Sequence, residues 1–287
     1  MAVLTNIAQF FSTHPLTRNA PHKAWVRFVS WQIRSRTLKE ITVPWIAGQR
    51  LAVRRGMKGA TGNIYVGLEE FQDMMLALHF LRKGDLFIDV GANVGTYAVL
   101  ASGVRRATTW AFEPDSNTVR SLKRNLAINN LNELVTVYEL ALGDADSEIL
   151  FTVGKDTENR VVSAGENDVR VVHQRRLDAL IDGALYSVIM IKVDVEGYQE
   201  EVLEGAKELL ADDRLKIVVL EWPTPLNREL LSSLHFTEVH YEPFSRQFQL
   251  EAGDTFSTRN SLFIRDWDFV SSRVTTAGHI KIFDHSI

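Results

Sequence analysis

The run Leu86-Phe-Ile-Asp-Val-Gly-Ala-Asn-Val-Gly-Thr-Tyr97 sets one carboxylate, Asp89, inside an otherwise apolar strand and follows it with two glycines. An aspartate there costs free energy unless something pairs with it. Gly91 and Gly95 let the backbone pass close to a ligand as the next helix begins, at the end of a strand where open α/β sheets bind their ligands. Eighteen positions after Gly95, a second strand-like run, Thr108 to Phe112, ends in Glu113. A carboxylate at that point can accept hydrogen bonds from both hydroxyls of a ribose. Glu113 also reads as a helix-start acid before Pro114. Taken together, these residues have the chemistry of a nucleotide-type cofactor site.

Spacing bears on which cofactor. A dinucleotide fingerprint needs three glycines, for the turn, the pyrophosphate and the helix packing. Here the turn reads Gly91-Ala-Asn-Val-Gly95, with two. The acids suit instead a ligand with a cationic sulfonium, an ammonium group and one ribose. Ala111-Phe-Glu-Pro-Asp115, Ala141-Leu-Gly-Asp144 and Ile191-Lys-Val-Asp-Val-Glu-Gly-Tyr198 follow in order. With them the chain resembles the FkbM family of S-adenosylmethionine (SAM)-dependent methyltransferases, over Gly67 to Glu221 and on to Arg265. The resemblance implies SAM as cofactor, with Asp89, Gly91, Asn93 and Gly95 around its methionine part, and a turn at Ala141 and Leu142 flanking the adenine. Asp144 reads equally well as part of a Gly-Asp turn.

Methyl transfer to oxygen needs alignment and loss of the acceptor proton. A hydroxyl is a poor nucleophile until a positioned base takes that proton. Strands ending near Val193 and Glu221 should bring Asp194, Glu196 and Glu221 to one rim; Asp194 is the first candidate for the active-site carboxylate and Glu196 the second. Three oxygen ligands could instead hold Mg²⁺, although Glu196 also suits a helix start. Lys192 in the same strand requires a carboxylate partner if buried. His173, with Arg160, Arg170, Arg175 and Arg176 nearby, reads either as a solvated loop or as a clamp on an acidic or hydroxyl-rich acceptor, with His173 an alternative base.

The elements that must position these residues alternate after residue 84. Strands are expected near 86–90, 108–112, 134–140, 187–193 and 215–221, with helices near 95–103, 115–130 and 198–211. That alternation gives an α/β fold, a doubly wound, mostly parallel Rossmann-like sheet. Pro223 to Leu234 should hold a last crossover helix, with closing strands at 237–242 and 260–265. The resemblance implies seven strands with an antiparallel edge. Ile149 to Val153 and Val169 to Val172 suggest extra strands around a polar loop. The expected organisation is an N-terminal extension over 1–66, a methyltransferase domain over 67–265 and a tail over 266–287. In the extension, Ala24 to Leu38 has helical apolar spacing amid Lys23, Arg27, Arg34, Arg36 and Lys39. Its two readings are a helix packed over the domain and a helix on an anionic membrane or a partner.

Composition narrows the classes. With 287 residues and 45% hydrophobic content, the chain can bury a full core. A formal charge of −4 offers no field for wrapping nucleic acid, and the absence of cysteine removes disulfides, thiolate metal sites and cysteine nucleophiles. Neither a signal-peptide pattern nor a long apolar run is present, so a cytoplasmic location is expected. The expected activity is SAM-dependent O-methylation of a small-molecule or saccharide acceptor, on a sugar, glycan or polyketide-type hydroxyl. Oxygen as acceptor atom is implied by the resemblance, and N-methylation stays open. Rival readings are a nicotinamide-dependent oxidoreductase, weakened by the missing glycine, and a non-catalytic SAM-binding or scaffold protein.

Overall fold

A computed structural model of the chain describes residues 2–154, 159–162, 168–181, 188–250 and 260–287. Ahead of the main sheet lie α1 (Ala2–Thr13), α2 (Pro21–Thr37), the antiparallel pair β1 (Ile41–Pro44) and β2 (Arg50–Val53), α3 (Lys58–Val66) and α4 (Phe71–Phe80). Alternation then begins with β3 (Leu86–Val90), α5 (Thr96–Ala98) running into a π-helical stretch over Val99–Val104, β4 (Thr108–Phe112), α6 (Ser116–Ile128) and β5 (Val135–Tyr138). A side sheet follows, made of β6 (Ala141–Leu142), β7 (Ser147–Thr152), β8 (Val161–Val162) and β9 (Val169–Arg175). The chain returns through β10 (Val188–Val193), α7 (Gln199–Glu204), α8 (Lys207–Ala211), β11 (Ile217–Glu221) and α9 (Pro225–Ser233). It closes with β12 (Thr237–Glu242), β13 (Gln247–Leu250), β14 (Asn260–Ile264), α10 (Trp267–Thr275) and a short pair, β15 (Lys281–Ile282) and β16 (His285–Ser286).

The main sheet runs β13-β12-β14-β11-β10-β3-β4-β5. Pairings from β11 to β5 are parallel, and those of β14, β12 and β13 antiparallel. Strand order reverses between β3 and β10, and the crevice at such a reversal is where doubly wound sheets bind ligands. Both faces are covered, which is why these strands read as continuous apolar runs. Phe87, Met190, Ile217 and Val219 pack with α4 and α10, while the intervening Ile88, Ile191, Val218 and Leu220 pack with side chains of α7, α8 and α9.

Three expectations change in detail. The sheet has eight strands, not seven, because β13 pairs with β12 at the edge. Its Gln-Phe-Gln-Leu pattern is mostly exposed and carries no apolar run to mark it. The strand expected over 134–140 ends at Tyr138, after which the chain changes sheets and pairs β6 with β9. The helix expected over 198–211 breaks at Gly205, where a Cβ would lie 1.9 Å from the Gly143 carbonyl oxygen. Residues 155–158 and 163–167 of the polar loop, and the first residue of the strand expected from 187, lie outside the described residues.

Candidate functional site

The C-terminal ends of β3, β4 and β10 open into a cavity of about 770 Å³. Its floor depends on Gly91. This residue adopts φ +79°, and a Cβ there would lie 1.9 Å from the Asp194 carbonyl oxygen, so a side chain is excluded by the approach of β10 itself. The Gly91 and Ala92 N–H groups both donate to the Phe112 carbonyl at 3.0 Å, and the Asp194 N–H donates to the Val90 carbonyl at 3.0 Å. Three strand ends are thereby tied together beneath the opening.

Pairing register then decides the charges. Asp89 lies opposite Lys192 of β10, and both are almost fully buried. Lys192 Nζ donates to Asp194 Oδ2 at 2.5 Å, sits 3.9 Å from Glu70 Oε2 and lies 4.7 Å from the centre of the Tyr97 ring. Burial alone would lower the lysine pKa, but Asp194, Glu70 and Asp89 outweigh it and hold the ammonium charged. Asp89 Oδ2 is buried without a hydrogen-bond partner. Desolvation pushes this carboxyl up to about 7, with Lys192 opposing and Asp194 and Glu70 reinforcing the rise.

Glu113 is held differently. Its Oε2 accepts from the Asn93 N–H at 3.0 Å and its Oε1 from the Asp115 N–H at 2.9 Å, so the carboxylate plane is fixed by backbone. Desolvation raises it too to about 7, against those two hydrogen bonds. Each oxygen keeps a second lone pair, the requirement for gripping a diol. Beyond Glu113, the cavity wall turns apolar through Phe112, Pro114, Leu140, Ala141 and Leu142, a surface suited to a flat heterocycle.

Of the residues singled out from sequence, Asp89, Gly91, Asn93, Glu113, Leu142, Asp194 and Glu196 line this one cavity. Gly95 is not in the lining; it begins α5 at φ +84°, with its Cβ position 3.1 Å from Leu122. Asp144 meets Gln174 at 3.3 Å instead. The basic cluster also points elsewhere: Arg170 contacts Ser116 and Asp115, Arg175 pairs with Asp146, and Arg176 lies 3.8 Å from Asp178. His173 is exposed beside Glu148. Neither His173 nor Arg160 lines the cavity. Asp194, Glu196 and Glu221 do come together, with one oxygen from each within 4.8 Å of the others. Glu196 holds a left-handed φ of +46°, a conformation that places its carboxylate at the rim at a cost in backbone strain.

Three contributors were not marked by sequence reasoning. Glu70 and Asp73, at the start of α4, read locally as ordinary helix-start acids. In three dimensions they face Lys192 across the cavity. Glu70 Oε2 accepts from the Tyr97 hydroxyl at 2.7 Å, and Asp73 Oδ2 accepts from Asn260 Nδ2 at 2.9 Å. Desolvation, reinforced by Glu70, raises Asp73 to about 7. The third is His14, between α1 and α2. Its Nε2 meets the Leu68 carbonyl at 2.8 Å, and its Nδ1 accepts from the Leu16 N–H at 3.2 Å. Burial lowers its pKa to about 4, so it forms a neutral wall of the cavity.

Seven carboxylates among the described lining residues therefore share the cavity with one lysine. That donor set, with a buried Asp89 oxygen lacking a hydrogen bond and a backbone-clamped Glu113, fits a ligand that brings positive charge and a ribose diol together.

Comparisons with known proteins bear on the family. The methyltransferase FkbM domain matches residues 89–253, more than half of the chain. Hexuronic acid methyltransferase AglP of Haloferax volcanii is 28% identical over 152 residues, covering 51% of this chain and 61% of that protein. Methyltransferase 1 of Beauveria bassiana is 27% identical over 165 residues, covering 49% of this chain and 66% of its own. The crystal structure of methyltransferase FkbM from Methylobacillus flagellatus KT aligns with a TM-score of 0.45 at 18% identity, over 71% of this chain and 52% of that one. The chain thus spans less than two thirds of these relatives.

Proposed function

The chain belongs to the methyltransferase FkbM domain family, and from that premise we propose that it is a SAM-dependent methyltransferase acting on a hydroxyl of a sugar, glycan or polyketide-type acceptor. One observation carries the reading: a strongly acidic cavity at the sheet's reversal point, with Asp89 buried against too little positive charge. Bound there, SAM supplies a methyl group activated by its sulfonium. Asp89, Gly91 and Asn93 surround its cationic end, with Gly95 setting the turn behind them. Glu113 grips the ribose, and Leu142 flanks the base.

On the acceptor side, protein groups must orient a hydroxyl and take its proton. Asp194 is oriented by the Lys192 ammonium, which donates to its Oδ2, and Glu196 stands beside it at the rim. Asp73 joins them as a base candidate, because a carboxyl with a pKa near 7 matches neutral working conditions better than an ordinary one. Whichever of the three carboxylates acts as base would receive the acceptor proton. AglP is named for a hexuronic acid. The excess of lining carboxylates favours an uncharged hydroxyl face here over a sugar carboxylate. Trp222, 61% exposed directly after Glu221 and at φ +43°, offers a flat face on which a sugar ring could stack.

Mg²⁺ at Asp194, Glu196 and Glu221 is the second reading, favoured by their mutual approach. It would lower the acceptor pKa directly. Turnover unchanged by a chelator would remove it.

Calorimetric titration with S-adenosylhomocysteine, with NAD as control, tests the central proposal. Binding of the first and not the second supports it and justifies a screen of methyl glycosides with SAM. Folded protein that binds neither overturns it, and binding of NAD alone would point to an oxidoreductase.

A further inference from the structure

Helix α2 carries an apolar face that is exposed among the described residues. Ala24, Trp31 and Ser35 are buried, and Trp25 and Phe28 pack against Phe11 and Tyr65. On the opposite side Val26, Val29 and Ile33 are 67%, 50% and 61% exposed. Their spacing of three and four residues places them in one stripe along the helix. Lone exposed apolar residues are ordinary, but three in register on an amphipathic helix that already buries its other face form a second apolar surface.

Charge identifies what that surface fits. Residues 1–39 carry six Lys and Arg and no Asp or Glu, whereas residues 40–287 carry 26 Lys and Arg against 36 Asp and Glu. The stripe is flanked on the helix by Arg36 on one side and by Lys23 and Arg34 on the other. Lys23 is engaged by Asp284 at 2.6 Å, while Arg34, Arg36 and Lys39 are exposed and make no ion pair with the described residues. We propose that the exposed face of α2 docks on an anionic lipid surface, with Val26, Val29 and Ile33 entering the headgroup boundary and Arg34, Arg36 and Lys39 meeting lipid phosphates or carboxylates. A second copy of the chain is the poorer occupant, since pairing through this face would set like charges against each other. The proposal is independent of the acceptor, because it uses no cavity residue.

The test is co-sedimentation of the full chain with phosphatidylcholine vesicles, with and without phosphatidylserine, at low and high salt. Wild type should pellet with serine-containing vesicles, fall away as salt rises and stay in solution with phosphatidylcholine alone. The double variant Val29→Asp with Ile33→Asp should lose binding. Arg34→Ala and Arg36→Ala should each weaken partition by about fivefold, the effect of one basic side chain near such a surface. All four positions are exposed, so thermal melts and S-adenosylhomocysteine titration should match wild type and separate loss of docking from loss of fold. Wild type left in the supernatant at low salt would overturn the proposal. So would equal binding to neutral vesicles, or a dimer by light scattering that Ile33→Asp dissolves.

Discussion

Asp89 and Glu113 are buried carboxylates at the ends of neighbouring strands, both raised to about 7 by desolvation, yet they are held by opposite means. Glu113 is fixed by two backbone N–H groups, so its position follows from the course of the chain after β4. Asp89 belongs to an acid-rich group in which the one Lys192 ammonium answers Asp89, Asp194 and Glu70 at once. The Glu113 corner is thus set by local backbone, and the Lys192 corner by elements distant in sequence that meet around one lysine. A substitution should therefore act locally at the first and propagate at the second.

The sharpest way to break this contrast is Lys192→Met, which leaves several buried acids without their cation. We expect a loss of about 3–5 kcal/mol in denaturant melts. A loss under about 1 kcal/mol would mean that the acids need no such counter-charge. Next come Asp194→Asn and Asp73→Asn, compared for turnover at unchanged S-adenosylhomocysteine affinity. The residue that acts as base should lose about 10²-fold to 10⁴-fold, while the other loses far less. Equal small losses would place the base elsewhere.

Glu113→Ala should weaken S-adenosylhomocysteine by about 1.5–3 kcal/mol, the scale of hydrogen bonds to a charged group, without much change in melting. Wild-type affinity in this variant would remove Glu113 from the ribose. The smallest expected effect is pH dependence. Asp73, Asp89 and Glu113 sit at about 7 in the fold, above ordinary values of 3.8 and 4.5. The folded protein then binds more protons than the unfolded chain between those limits, so these groups contribute less stability as pH rises through about 7. A cationic ligand favours their charged forms. SAM should therefore bind more tightly from about pH 6 to about pH 8 and release protons, visible in calorimetry in buffers of different ionisation enthalpy. Uptake of protons would contradict the acid cluster as its binding site.

Much of the Glu113 corner is legible in the amino-acid sequence, because its parts lie in short continuous runs. Val90-Gly91 to Gly95 and Phe112-Glu113 are local signals, each carrying its own strand end and turn. The Lys192 corner is legible only in its strand residues, Asp89, Lys192 and Asp194. Glu70 and Asp73 carry no mark beyond a helix start, and their facing of Lys192 comes from α4 packing on the sheet through Phe71, Met74 and Met75. The arginines near His173 show the reverse case: their sequence proximity suggests a clamp, but β7 and β9 direct them to acids outside the cavity.

By itself, then, the sequence determined the α/β alternation, the parallel core strands and the two acidic strand ends, since periodicity and turn chemistry act over a few residues. Tertiary structure alone decided the eighth strand, the place of His14 in the cavity wall and the clustering of four carboxylates from three elements about Lys192. These depend on which surfaces meet across the fold, where register and packing, rather than local propensity, set the distance between charges.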